Sequence, residues 1–362
     1  MRYHVRYALL IVALLTFIAG YCVFWFAMAR TVKADLGAWI AARNAAGYRV
    51  STAGYKVTGF PSTLVLTIDR LQIAKPAAGW TWSVPKLLVF AEPWNLRHVI
   101  VDFGKTQRFT LGVGALHQSF DVTAKDAKAS ALIGDNLKIA ALDSILTGAE
   151  ISMAGGAVLD IGEAQAHGRR NDGQSPGRPA GSVEIALFAK NVTLPAGSGG
   201  LLGRGVKNFA LEATVPPPLP TGFQDLAAWR QDGGTLKINH FDLDWGELKI
   251  SGSGTVALDQ DMRPEAAFVT EVGGFDQAID ALVAAGELQP INGVRAKIVL
   301  GLLAKPGKNG ERELRVPLTA ENGRLYAGPV ALASLPSLAA LTSPSGAPAA
   351  VSVAPSPKTP SP

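Results

Sequence analysis

Residues 234–258, GTLKINHFDLDWGELKISGSGTVAL, decide the fold class. Leu236 and Ile238 alternate with Lys237 and Asn239. Leu243 and Trp245 alternate with Asp242 and Asp244, and Leu248 and Ile250 with Glu247 and Lys249. Successive side chains of a strand point to opposite faces, so a period of two marks strands with one buried and one wet face. Trp245-Gly246 stands between two such runs. It reads as the turn that closes one strand and opens the next, with Trp245 on the apolar face.

The same period recurs on both sides of this stretch. Leu64, Leu66 and Ile68 share one face of a run whose other face holds Thr67 and Asp69. Phe120, Val122 and Ala124 alternate with Ser119, Asp121, Thr123 and Lys125. Val183, Ile185 and Leu187 alternate with Ser182 and Glu184. Turn signals separate the runs at Gly104, Gly134-Asp135-Asn136, Gly155-Gly156, Gly233-Gly234 and Gly252-Ser253-Gly254. The expected architecture is a β-rich α+β fold: a long antiparallel meander, curved and twisted, with one apolar face and a few covering helices.

Helical spacing appears where the period of two lapses. Phe275, Ile279, Leu282 and Val283 form an amphipathic stripe that ends near Gly286. Residues 221–231 are a shorter candidate after the proline run, and residues 85–96 are ambiguous. Residues 168–182, GRRNDGQSPGRPAGS, read as a mobile loop, and residues 339–362, rich in Pro, Ser and Ala, as a disordered tail.

At the N-terminus, residues 8–29 read ALLIVALLTFIAGYCVFWFAMA, with no charge among them. A helix of that length spans about 33 Å, matching a bilayer core of about 30 Å. Tyr3 and Tyr7 near one end, and Tyr21, Trp25 and Phe26 near the other, fit the interfacial aromatic belts. The rival is a cleaved signal peptide: Arg2, His4 and Arg6 resemble its basic start, and Ala27-Met28-Ala29 its cleavage site. The apolar run exceeds the usual signal core of about 7–15 residues, which favours an anchor. Arg2 and Arg6 lie before it, and Arg30 and Lys33, offset by Asp35, after it. This small bias places residues 1–7 in the cytoplasm and residues 30–338 outside it. In a bacterial cell the location is the inner membrane, with the domain in the periplasm. Residues 30–46 continue as a helix that lies at the membrane surface or covers the first part of the sheet with Trp39 and Ile40.

Composition excludes some classes and favours none. The chain is 48% hydrophobic and 17% charged, which supports a sizeable core. Its net charge of +5 is not concentrated in a block, so no nucleic-acid partner is expected. The one cysteine, Cys22, lies in the apolar run and has no internal partner for a disulfide.

The search for chemistry yields no catalytic, cofactor or metal residue. His4, His98, His117, His167 and His240 share no ligand spacing. Gly200-Leu-Leu-Gly203-Arg-Gly205 lacks the Lys-Ser/Thr ending of a phosphate loop. Asp242, Asp244 and Glu247 are the one local acidic group, and their alternation with Leu243 and Trp245 sends the two aspartates to the solvent face. No enzyme and no cofactor is expected.

Three stretches carry a family resemblance: GYRVSTAGYKVTGFP at 47–61, GTLKINHFDLDWGELKISGSGTVAL at 234–258, and ENGRLYAGPVALASLP at 321–336. In that order, behind an N-terminal anchor, they resemble the bacterial family called domain of unknown function 2125. The resemblance covers most of residues 1–338 and implies no particular activity. The layout is also similar to that of AsmA-like envelope proteins, which implies a curved sheet that holds or passes lipid. The motif residues Gly59, Phe60, Pro61, Trp245, Gly246, Gly323, Gly328 and Pro329 read as structural, with Phe60 expected to bury and Pro61 to fix the turn backbone.

Three functions remain open. The first is a membrane-anchored protein that binds lipid on an apolar face including Leu64, Leu66, Ile68, Leu236, Ile238, Trp245, Leu248 and Ile250. The second is a structural or interaction module whose helices cover that face. The third is an envelope hydrolase whose residues converge only in the fold.

Overall fold

The computed structural model describes residues 2–113, 116–134, 138–171, 173, 179–198, 202–217, 219, 226–284, 289–306, 312–328 and 330–338. It begins with one continuous helix, α1 (Arg2–Ala45). Residues Leu9–Ala45 are long and apolar enough to cross a membrane, a test that a signal sequence also passes.

The rest is a sheet whose strands follow chain order: β1 (Arg49–Ser51), β2 (Gly54–Thr58), β3 (Leu64–Lys75), β4 (Trp80–Glu92), β5 (Asn95–Asp102), β6 (Thr106–Val113), β7 (Leu116–Thr123), β8 (Asp126–Ile133), β9 (Ile139–Met153), β10 (Val158–Arg170), β11 (Val183–Thr193), β12 (Gly205–Val215), β13 (Leu236–Trp245), β14 (Leu248–Leu258), β15 (Pro264–Gly273), β16 (Lys305–Pro306), β17 (Arg312–Glu321), β18 (Arg324–Ala327) and β19 (Val330–Ser334). Short helices interrupt it: α2 (Leu226–Gln231), α3 (Phe275–Ala284) and α4 (Pro290–Leu303).

Every pairing is antiparallel. β5 pairs with the second half of β4 and β6 with the first half. β8 and β7 face the two halves of β9 in the same way. Two long strands are therefore each interrupted once, and the topology is a plain meander. At the first interruption Asp102 Oδ1 accepts from the Gly104 N–H at 2.8 Å, a short side-chain turn that bends the strand. Cross-strand bonds continue through it: the Phe103 N–H donates to the Ala127 carbonyl and the Ala124 N–H to that of Lys105.

The meander has two ends. The turns at 59–63 and 93–94 lie at the end where β3 begins. Residues 76–79, 194–204 and 246–247, with α3 and α4, lie at the other. The second half of α1 runs beside β3. Near its middle Trp25 Nε1 donates to the Thr63 carbonyl at 3.3 Å, and near its end Asn44 Oδ1 accepts from the Val50 N–H at 2.7 Å. Between them Val32, Leu36 and Ile40 pack on a cluster of Val50, Leu66, Ile68, Leu71, Val84 and Leu87. Burying each such aliphatic side chain contributes roughly 1.5–3 kcal/mol, which makes this the principal core.

Several expectations are corrected. The ambiguous segment 85–96 is strand: it holds the end of β4 and the start of β5, and Pro85 stands opposite Arg70, whose φ is 49°, at the one unpaired position of a β3–β4 ladder whose register is the same on either side. Residues 168–170 of the expected loop extend β10. Gly252-Ser253-Gly254 lies inside β14 and is not a turn. The helix α4 shows no helical period in its sequence, because its apolar residues run all round it. Residues 221–225, 285–286, 339–362 and Pro329 lie outside the described residues.

Candidate functional site

In an antiparallel sheet, directly paired residues point to the same face. Starting at Leu64, the register runs through Ala91, Val99, Ala131, Leu142, Gly168, Ile185, Ala213, Ile238, Gly254, Phe268, Leu318 and Ala327, one residue from each of thirteen strands. None is polar. At about 4.8 Å per strand, this row extends for about 57 Å along the sheet.

The next row on the same face begins Leu66, Val89, Val101, Ala129 and runs on through Leu187, Leu211 and Phe241. Its two hydroxyl residues turn their polarity into the backbone. Ser144 Oγ donates to the Ala166 carbonyl at 3.3 Å, and Thr270 Oγ1 to that of Val316 at 2.5 Å. The opposite face reads differently. One residue along from the apolar row, Arg169, Glu184, Thr214, Lys237 and Thr255 succeed one another.

All eight residues of the expected apolar face fall on this one face: Leu64, Leu66 and Ile68 on β3, Leu236, Ile238 and Trp245 on β13, and Leu248 and Ile250 on β14. Their surroundings differ. Leu64, Leu66 and Ile68 are buried, and Leu66 and Ile68 lie under α1. Leu236, Trp245, Leu248 and Ile250 are half-buried. Between these groups, from β9 to β12, the face presents half-buried Ile185, Leu187, Phe209 and Leu211, and Leu142 is 42% exposed. None of these residues was among the expected site candidates, although the alternation at 183–187 marked the strand of Ile185 and Leu187.

The glycines inside β14 have a packing reason. A Cβ on Gly254 would lie 2.3 Å from the Ala267 carbonyl and 2.4 Å from the Phe268 ring, and one on Gly252 would lie 2.5 Å from the Val269 carbonyl. Phe241 and Phe268, edge to face at 5.7 Å, therefore cover a strip that only glycine leaves clear.

The motif residues divide by place. Gly246 opens the two-residue turn between Trp245 and Leu248. Trp245 Nε1 donates to the Gly203 carbonyl at 2.8 Å. Asn322 and Gly323, with φ of 51° and 73°, form the hairpin turn between β17 and β18, a backbone that Asn-Gly favours. Gly328 follows β18, and its N–H donates to the Pro317 carbonyl. Gly59, Phe60 and Pro61 form the β2–β3 turn, and the Phe60–Pro61 peptide is cis. Phe60 was expected to bury, yet it stays 48% exposed. Its packing partners are Tyr21, Trp25 and Phe26 of α1 and not the sheet core.

The polar face gathers groups from distant segments. His167 Nδ1 meets Asp143 Oδ1 at 2.7 Å, and its Nε2 lies 3.2 Å from Gln165. His98 Nε2 lies 2.8 Å from Ser130 Oγ. The carboxylate serves one histidine and the serine the other, so Ser, His and Asp do not form a single relay. Arg108 grips Asp121 with two bonds of 2.6 and 2.9 Å. The hydrogen bond from Arg108 holds the Asp121 carboxyl below its ordinary pKa, and the same bond raises that of Arg108. Asp242 and Asp244 also point to this face, with Asp242 accepting from Asn208 at 2.8 Å. Among the described residues no group of three His, Cys, Asp or Glu side chains could hold a metal ion.

An apolar N-terminal helix that continues onto a long, one-sided β meander defines the class of this protein: a strand-rich domain behind a candidate membrane helix. Residues 25–336 match a family model described as an uncharacterized protein conserved in bacteria (DUF2125), and the chain belongs to that family. No curated protein and no solved structure matches it.

Proposed function

We propose that this protein is anchored in a bacterial inner membrane by α1, carries its meander on the periplasmic side, and holds lipid acyl chains along the apolar face. The observation that carries this reading is the unbroken apolar row of thirteen strands, which α1 covers only at its first end. An acyl chain of about ten methylenes laid against it would gain of order 8 kcal/mol before ordering costs, at about 0.8 kcal/mol per CH₂.

Retention of the helix, in preference to its cleavage as a signal peptide, is supported by Trp25. It is 3% exposed, donates to Thr63 and packs on Phe60. Cleavage after Ala29 would strip that cover from the folded domain. The family match also begins at residue 25, ahead of that site.

The test is mass spectrometry of lipids that co-purify with the full chain, against a Leu187→Glu variant. Leu187 is half-buried on the uncovered stretch. Bound phospholipid that falls several-fold in the folded variant supports the reading, and a lipid-free native protein sinks it. Alkaline phosphatase and green fluorescent protein fused to the C-terminus test the side: phosphatase activity without fluorescence is expected.

A second reading rests on α4. Ile291, Val294, Ile298 and Leu302 are exposed along one helix, Leu302 at 81%. An exposed apolar helix surface of that kind suits protein docking, which makes the domain an interaction module at the end of the meander away from β3's start.

A further inference from the structure

The β2–β3 turn is held against the wrong part of α1 for a turn in water. Residues 57–63, VTGFPST, carry no charge. Phe60 packs on Tyr21, Trp25 and Phe26, with ring centroids 5.5–6.4 Å apart. All three belong to the uncharged segment 8–29. Tyr21 and Trp25 lie about 12 and 6 Å before its end at Ala29, at 1.5 Å per residue. A turn fixed at that height is level with the bilayer's interface and outer acyl region, not above it.

The turn is also prepared for a place without water. Pro61 has no N–H to satisfy, and its carbonyl accepts from the Tyr21 hydroxyl. The Thr63 carbonyl accepts from Trp25 Nε1, and the Gly59 carbonyl from the Thr63 N–H at 3.1 Å. Backbone groups entering lipid need such internal partners. The next turn at the same end, Pro93-Trp94, repeats the pattern. Its two tip residues carry no charge, although exposed Glu92 precedes them; the proline removes a donor, and Trp94 is 62% exposed near Leu96, itself 38% exposed. Tryptophan on an exposed tip is the side chain that favours the membrane interface.

We propose that these two turns form a second membrane contact: Gly59–Thr63 and Trp94 insert into the leaflet where α1 emerges, seating the start of the apolar rows in lipid. The inference rests on the reading of α1 as a membrane-spanning anchor. The occupant is the phospholipid leaflet around that anchor. Acyl chains then meet the sheet where Leu64, Ala91 and Val99 begin the row, without crossing water.

The experiment uses the full chain with Cys22→Ala, in phosphatidylcholine–phosphatidylglycerol nanodiscs with or without brominated acyl chains. An environment-sensitive fluorophore is attached in turn through Trp94→Cys, Leu96→Cys, Phe17→Cys within α1, and Ser198→Cys in a loop at the opposite end. Circular dichroism confirms that each variant folds. Labels at 94 and 96 are expected to be blue-shifted and quenched several-fold more than the label at 198. Quenching at 17, with 94 and 96 as unquenched as 198, overturns the insertion while leaving the anchor. No quenching at 17 overturns both the anchor and the insertion. Either result leaves the co-purifying lipid on the uncovered stretch as a separate measurement.

Discussion

The apolar face from β1 to β4 and the apolar face from β9 to β12 have the same chemistry and different fates. In both, aliphatic residues succeed one another across paired strands. Over the first, α1 lays Val32, Leu36 and Ile40 on the sheet, and Leu66, Ile68 and Val84 become a core. Over the second, Leu142, Ile185, Leu187 and Leu211 remain half-buried or exposed. The same row is thus a core where α1 covers it, and stays partly exposed among the described residues where α1 does not.

A charge placed on each region separates them most sharply. Leu66→Asp is expected to prevent folding or to cost more than about 3 kcal/mol, because an unpaired carboxylate under α1 has neither water nor partner. Thermal unfolding followed by circular dichroism reads the loss. Leu187→Glu, on the half-buried stretch, is expected to cost less than about 1.5 kcal/mol by the same measurement, since the carboxylate keeps access to solvent. Equal losses at the two positions would end the comparison.

Gly254→Val probes how closely the uncovered face is built. The new side chain collides with the Ala267 carbonyl and the Phe268 ring, so a loss of about 1–3 kcal/mol is expected in urea unfolding. A neutral outcome would show that the Phe241–Phe268 cover does not depend on glycine beneath it.

The smallest effect belongs to the polar face. The hydrogen bond from Arg108 depresses the folded-state pKa of Asp121 below its ordinary value of 3.8. The stabilisation is therefore complete above that value and is lost as pH falls through the depressed one. An acid titration of unfolding temperature should show native protein and Asp121→Asn converging below about pH 3.8. Because both side chains are exposed, the gap at neutral pH is expected to be small.

Much of the architecture was legible without coordinates. The period of two at 64–68, 120–124, 183–187 and 236–250 belongs to the backbone geometry of a strand and survives in any strand-rich fold. What misled was local resemblance. Residues 85–96 read as ambiguous, yet they are strand: Pro85 falls opposite Arg70, at the one position the β3–β4 ladder leaves unpaired without changing register. Gly252 and Gly254 resembled a turn, yet they mark the place where phenyl rings press on the backbone. Both residues have several structural uses, and only their neighbours on adjacent strands select one.

The sequence by itself determined the apolar segment at 8–29, the alternating strands and the side of each strand that is apolar, because these depend on residue order over a few positions. Only the tertiary structure decided that thirteen strands align their apolar sides in one row, that α1 closes one end of it, and that Phe60 is spoken for by Tyr21, Trp25 and Phe26. Those outcomes depend on pairing register and on contacts between residues tens of positions apart. A single strand's periodicity carries no information about its partner, so long-range packing had to select among registers that are locally equivalent.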